Sequence, residues 1–134
     1  MRLWHQDLIP LLPRQQLLGQ HRECCALRGK GWGKKHATVN YVFNHDYFWL
    51  FCYHMIVMGE MEKRGYHFDR NWIYPSYRGK ILGFDSNVDE YTPSICYQII
   101  DNQRPIYPEH DDNYKMECLE NLKNKNIKLL DKQS

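Results

Sequence analysis

Near the start of this sequence, the residue with most chemistry to offer is Glu23. It is the only carboxylate in residues 15–28, QQLLGQHRECCALR, and Arg22 stands beside it. On a helix, at about 100° per residue, Leu17, Leu18, His21, Cys24 and Cys25 fall on one face. Gln15, Gly19, Arg22, Glu23 and Ala26 fall on the other. Gly19 and Ala26 have almost no side chain, so a ligand could approach the carboxylate between them. The plainer reading of Arg22 and Glu23 is an exposed ion pair on a helix surface. A second group with chemistry is the α-amine of Met1. Its unperturbed pKa is about 8, so part of it is neutral at cellular pH, unlike a lysine.

The elements that must position these groups follow from the pattern. Residues 1–13, MRLWHQDLIPLLP, read as an extended arm, because Pro10 and Pro13 forbid a helix interior. Leu3, Trp4, Leu8, Ile9, Leu11 and Leu12 would pin the arm to the body and give the amine a definite place. Pro13 suits a helix first turn, and Gly29 a stop, so a first helix is expected over residues 13–27. Residues 29–36, GKGWGKKH, follow. Three glycines let backbone approach a ligand, while Lys30, Lys34 and Lys35 offer charge to phosphate. Trp32 either stacks on a base or covers the edge of the core. The spacing is not that of a phosphate-binding P-loop.

Residues 36–43, HATVNYVF, are β-prone or an irregular link. Asn44 or Asp46 can cap a second helix over residues 47–64, with Gly65 as its stop. Its first turns are apolar nearly all round, so it is expected to be central, with His54 a satisfied core histidine and Met55 and Met58 core filler. Residues 66–102 are the least readable third. Thr92 and Pro93 can open a short helix to about Ile100, with a strand as the alternative. A last helix is expected over residues 110–125. Asp111 and Asp112 sit at its favourable end, and Tyr114, Cys118, Leu119 and Leu122 form its inner stripe. The tail from Leu129 is expected to fray. The fold class is therefore all-α: a single domain, 1–134, of three main helices with long irregular connections and an extended N-terminal arm.

Composition agrees with a globular domain: 134 residues, 43% hydrophobic and 25% charged. The longest apolar run is too short to cross a bilayer, so no membrane association is expected, and no secretion signal is visible. Five cysteines lack metal-type spacing, which is most simply read as reduced thiols in a cytoplasmic protein with no metal and no cofactor. The net charge of +2 hides an asymmetry. Residues 1–45 hold seven Lys/Arg against Asp7 and Glu23, a net +5, which points to a polyanion partner at that end.

Four stretches together resemble the pyrimidine-dimer DNA glycosylase/abasic-site lyase family, as a bacterial branch. The opening MRL is similar to that family's start. QQLLGQHRE is similar to its first-helix segment, with Gln15, Leu17, Arg22 and Glu23 matching residue for residue. HATVNYVF, followed by a helix ending in EKRGYHF, resembles its second helix. YRG at residues 77–79, and Pro-Glu-His before the last helix, resemble two further motifs. The resemblance implies a three-helix fold and a mechanism. A neutral terminal amine attacks C1′ of a damaged nucleotide and forms an imine, and the carboxylate assists β-elimination. Here the amine would be that of Met1, because a bulky second residue, Arg2, normally keeps the initiator in place. The catalytic set is then Met1, Arg22 and Glu23. Arg2, Gln15, Arg22, Arg28, Lys30, Trp32, Lys34 and Lys35 would bind DNA, with Arg28 substituting for a basic residue the family carries shortly after its glutamate. The partner is double-stranded DNA with damaged or abasic nucleotides, met by a monomer. Two other readings are a DNA-binding protein on this fold without chemistry, and a thiol or metal protein using Cys24, Cys25, His5 and His21.

Overall fold

A computed structural model describes residues 2–34, 38–88 and 93–131. Among the described residues there are four α-helices: α1 (Arg14–Arg28), α2 (Tyr47–Lys63), α3 (Pro93–Asn102) and α4 (Asp112–Asn124). Three are the main helices expected, and α3 is the short one for which a strand was the alternative. Among the described residues there is no strand, only an isolated antiparallel bridge between Tyr77 and Phe84.

The helix ends follow local chemistry. Asp46 caps α2 by accepting from the Phe48 N–H at 2.8 Å, and Gly65 follows with a φ of +81°. Asp111 caps α4 by accepting from the Tyr114 N–H at 2.8 Å. The expected Thr92 cap of α3 lies outside the described residues. Gly29 ends α1, but not through a left-handed turn: its φ is −92°. It is needed for space, since a Cβ there would lie 2.9 Å from the Arg78 carbonyl oxygen.

α1 packs on α2, and α2 is central as its apolar surface requires: Leu50, Cys52, Tyr53, His54 and Val57 are fully buried. Cys118 and Leu122 bury the inner face of α4, with Tyr114 and Leu119 packed partly against it.

Two expectations about the chain ends are corrected. The arm is not extended throughout, because residues Gln6–Leu11 form a 3-10 helix that contains Pro10. A short 3-10 segment tolerates proline where a long α-helix does not, since fewer ladder bonds are lost. The tail does not fray from Leu129: the Leu130 N–H donates to the Leu11 carbonyl at 2.7 Å. Residues 132–134 lie outside the described set.

The buried stripe of α1 is also displaced from the expected one. Leu17, Gln20, Glu23, Cys24, Leu27 and Arg28 are buried, whereas Leu18, His21 and Cys25 are only half-buried. The N-terminal arm lies against the Gln20 side of the helix and covers it.

Candidate active site

The arm reaches this position through hydrogen bonds to its backbone. Gln20 on α1 accepts from the Trp4 N–H at 2.6 Å through Oε1 and donates from Nε2 to the Arg2 carbonyl at 3.1 Å. The Tyr53 hydroxyl of α2 lies 2.6 Å from the Trp4 carbonyl and 2.7 Å from Gln20 Oε1. The Tyr114 hydroxyl of α4 donates to the Leu3 carbonyl. Three helices thus grip residues 2–4 by the main chain, which fixes the course of the arm independently of its side chains. At the far end, Arg64 Nη1 and Nη2 donate to the carbonyls of Leu12 and Pro10 at 2.7 and 3.0 Å.

Beside this grip lies a cleft of about 320 Å³. That is at the small end of ligand sites, which run from about 300 to 1,000 Å³. Arg2 and Trp4 of the arm, Gln15, Gln16, Gly19, Gln20 and Glu23 of α1, Thr38, and Asn121 and Lys125 at the end of α4 line it. Glu23 is buried, at 5% exposure, yet its surface faces the cleft. No ion pair joins it to Arg22 among the described residues; Arg22 is exposed, with its guanidinium lying over Gly19. The exposed-ion-pair reading of Arg22 and Glu23 therefore fails, because Glu23 is buried and the two are not paired among the described residues. Gly19 lines the cleft as expected, but Ala26 does not; it is exposed elsewhere on α1.

The other expected site residues separate into groups. Gln15 and Arg2 line the cleft. Arg2 also pairs with Glu117 at 3.5 Å and lies over the Trp4 and Tyr114 rings. Lys30 and Lys34 are exposed on the glycine-rich loop after α1. Trp32 is half-buried and edge-on to Phe43 and Tyr47, the core-covering of its two readings. Met1 and Lys35 lie outside the described residues.

Arg28 is a clear correction. It was expected to reach DNA, but it has 0% exposure. Nη1 lies 2.8 Å from the Trp72 carbonyl and 2.8 Å from His54 Nδ1. Nη2 donates to the carbonyls of Tyr74 and Tyr77 at 2.9 and 3.3 Å. The guanidinium is sandwiched between Phe51 and Trp72, each about 5 Å from it. A planar five-donor fork can satisfy several carbonyls at once, and this one does so through Nη1 and Nη2, while its buried Nε has no partner among the described residues.

That cation also orders a histidine pair. A guanidinium only donates, so His54 Nδ1 accepts and the proton sits on Nε2. Nε2 then donates to His21 Nδ1 at 2.8 Å. Burial, with Arg28 next to it, holds the His54 pKa well below the ordinary histidine value. His21, His54 and Cys25 bring three metal-capable atoms within 4.8 Å of one another. The tautomer opposes a metal there, because His54 Nε2 has no lone pair to give while Arg28 occupies Nδ1. The Cys25 thiol, pushed up to about 12 by burial, stays protonated. Of the thiol or metal reading, His5 takes no part in this cluster: it caps the 3-10 segment by accepting from the Asp7 N–H.

Reasoning from sequence missed Trp4, Gln16, Gln20, Thr38, Asn121 and Lys125 as cleft residues. Gln20 alone carried a signal, for it falls between Leu17 and Cys24 on the buried stripe. Asn121 and Lys125 are about 100 positions from Glu23 and carry none.

The described residues thus form a helical body that holds a carboxylate in a cleft against its own N-terminal arm. Residues 1–74 match the family described as Pyrimidine dimer DNA glycosylase, more than half the chain, and the chain belongs to that family. Membership supports a DNA-repair function of the pyrimidine-dimer glycosylase type, with damaged DNA as what it binds. No curated protein and no solved structure matches the chain. Among the described residues, no helix is long and apolar enough to cross a membrane.

Proposed function

We propose that this cleft is the active centre of a DNA N-glycosylase and abasic-site lyase that acts as a monomer without a cofactor. The observation that carries the reading is the convergence of the arm and Glu23 on one cleft. In this reading the α-amine of Met1, one residue before Arg2, is the nucleophile. Its lone pair attacks C1′ of the damaged nucleotide. The base departs with the electrons of the glycosidic bond and is protonated. The open-chain sugar is then held to the protein as an imine. Loss of a C2′ proton expels the 3′ phosphate and nicks the strand, and hydrolysis of the imine frees the enzyme. Glu23 stabilises the developing positive charge at the sugar and helps move the proton from C2′. Arg22 and Arg2 hold phosphates, with Gln15, Lys30, Lys34 and Lys35 extending the contact.

The domain in this reading is the whole chain, 1–134. Asn121 and Lys125 complete the cleft and lie beyond the matched 74 residues. Five free cysteines fit a reducing, cytoplasmic setting.

Borohydride trapping tests the chemistry, because it reduces an imine to a stable adduct. Duplexes with one abasic site and with one thymine dimer separate lyase from glycosylase activity. The expected result is an adduct mapped to the Met1 amine. A second reading, DNA binding without chemistry, draws on the withdrawal of Arg28 from the cleft, which leaves Glu23 without the cation the resemblance set near it. Binding with no adduct on either substrate would select it.

A further inference from the structure

The exposed apolar side chains are not scattered. Of eight large exposed hydrophobic residues among the described ones, Tyr74, Ile81, Leu82 and Phe84 come from one short stretch. Ile81 is the most exposed, at 78%. Contiguous exposed apolar surface marks contact with a partner.

The stretch is a built tip. The Arg78 N–H donates to the Gly83 carbonyl at 2.8 Å, and the Gly83 N–H to the Gly79 carbonyl at 2.7 Å. Gly79 and Gly83 take φ values of +104° and +65°, which residues with a Cβ rarely adopt. Arg78 Nη1 pairs with Asp85 across the base at 3.1 Å. Phe84 packs on Tyr77 at 5.0 Å, and Tyr77 on Trp72 at 4.8 Å. Ile81 and Leu82 are thus held outward at the crest of a closed turn.

The tip is fastened to the helix that carries Glu23. Arg78 Nε donates to the Arg28 carbonyl at 2.9 Å, and Nη2 to the Gly29 carbonyl at 3.1 Å. These carbonyls end α1, about 8 Å along the axis from Glu23 at 1.5 Å per residue. They also open the loop that carries the exposed Lys30 and Lys34, while Lys80 is exposed on the tip itself. Exposed aliphatic side chains next to Lys80, joined through Arg78 to the start of the loop that carries Lys30 and Lys34, fit a polyanion with an apolar interior, which is the description of a stacked duplex.

We propose that Ile81 and Leu82 form a wedge that enters a base step of duplex DNA and unstacks it, with Lys80 on the neighbouring phosphate. This rests on the DNA-repair reading above and deepens it. A base cannot reach a cleft until it leaves the stack, and an apolar wedge supplies part of that unstacking.

The test uses the full-length protein, with Ile81→Ala and Leu82→Ala combined in one variant. Both side chains are exposed, so the fold, checked by circular dichroism, is expected to be unchanged. The first readout is 2-aminopurine fluorescence in a duplex with one abasic site. The wild type should raise it several-fold and the double variant should not; Ile81→Phe combined with Leu82→Ala, which restores bulk at the crest, should recover the rise. Lys80→Ala should keep the rise but lower the salt slope of binding by about 0.9. The second readout is borohydride adduct formation, expected to fall at least tenfold on the duplex and to stay unchanged on a single-stranded abasic oligonucleotide. No fluorescence rise with the wild type, an undiminished rise with the variant, or equal loss on both substrates would overturn the wedge. Absence of wild-type adduct on every substrate would instead overturn the proposed chemistry, leaving the fluorescence result to decide the wedge separately.

Discussion

α1 carries two buried charges, and they have opposite fates. Glu23 is 5% exposed and its carboxylate lines an open cleft. Arg28, five positions later, is 0% exposed and enclosed by three carbonyls, a histidine nitrogen and two aromatic rings. Among the described residues nothing pairs with the Glu23 carboxylate beside its cleft, whereas the Arg28 Nη atoms are engaged by the protein itself. Burial therefore does not separate a working charge from a structural one; what the buried group faces does. On a helix, five positions turn the side chain by about 140°, and the surfaces on those two sides differ. Glu23 meets the cleft beside the arm, and the Arg28 side chain meets the carbonyls of residues 72, 74 and 77.

The largest effect should come from the closed side. Arg28→Met would leave the Trp72 and Tyr77 carbonyls and His54 Nδ1 without the Arg28 donor, and the Tyr74 carbonyl with the Tyr77 N–H as its remaining one. Loss of about 3–5 kcal/mol is expected, read as a lower urea midpoint or as failure to fold. Normal stability with weakened DNA binding would mean that Arg28 serves DNA after all, and the contrast between the two charges would dissolve.

On the open side, Glu23→Gln should reverse that pattern. Strand nicking is expected to fall at least about 100-fold, while DNA affinity and thermal stability stay close to wild type. Nicking at the wild-type rate would remove Glu23 from the mechanism.

The grip on the arm tests whether the cleft depends on it. Tyr53→Phe deletes the hydroxyl that touches both Gln20 and the Trp4 carbonyl. A loss of about 1–2 kcal/mol is expected. The sharper readout is kinetic: adduct formation should slow more than DNA affinity falls, since only placement of the nucleophile suffers. Equal losses in rate and affinity would point to general loosening.

A smaller and graded effect concerns pH. Burial holds His54 well below the ordinary histidine value and His21 below it, while His110 is pushed down to about 3. In the unfolded chain these rings take protons near pH 6.5. Between there and pH 3 the unfolded state binds more protons, so stability must fall as pH falls. Each ring adds up to about 1.4 kcal/mol per pH unit within its window. Unfolding temperatures should decline steadily below pH 6.5, and His110→Gln should flatten the decline. A flat profile from pH 7 to 4 would mean that these rings are charged in the fold, contrary to the donor set around His54.

Much of the fold was readable from local chemistry. Gly65, Asp46 (one of two cap candidates, with Asn44) and the acidic pair Asp111 and Asp112 marked helix ends, because capping and end charges need only neighbours in sequence. The apolar run of residues 47–58 marked α2 as central, since no other position hides a helix that is apolar all round. Glu23 stood out as the lone acid of α1, and the family resemblance followed from short motifs, three of the four stretches lying within the 74 residues that match the family. The tertiary structure decided the rest. Which side of α1 was buried depended on an arm that Gln20, Tyr53 and Tyr114 hold from three helices. Whether Arg28 met phosphate or carbonyl depended on residues 72–77, nearly fifty positions away. Asn121 and Lys125 joined the cleft only when α4 packed against the arm. Capping and amphipathicity act within a turn or two of chain, so the sequence determined them by itself. A cleft is made of surfaces that meet only after packing, so its lining and its free charge were settled by the fold.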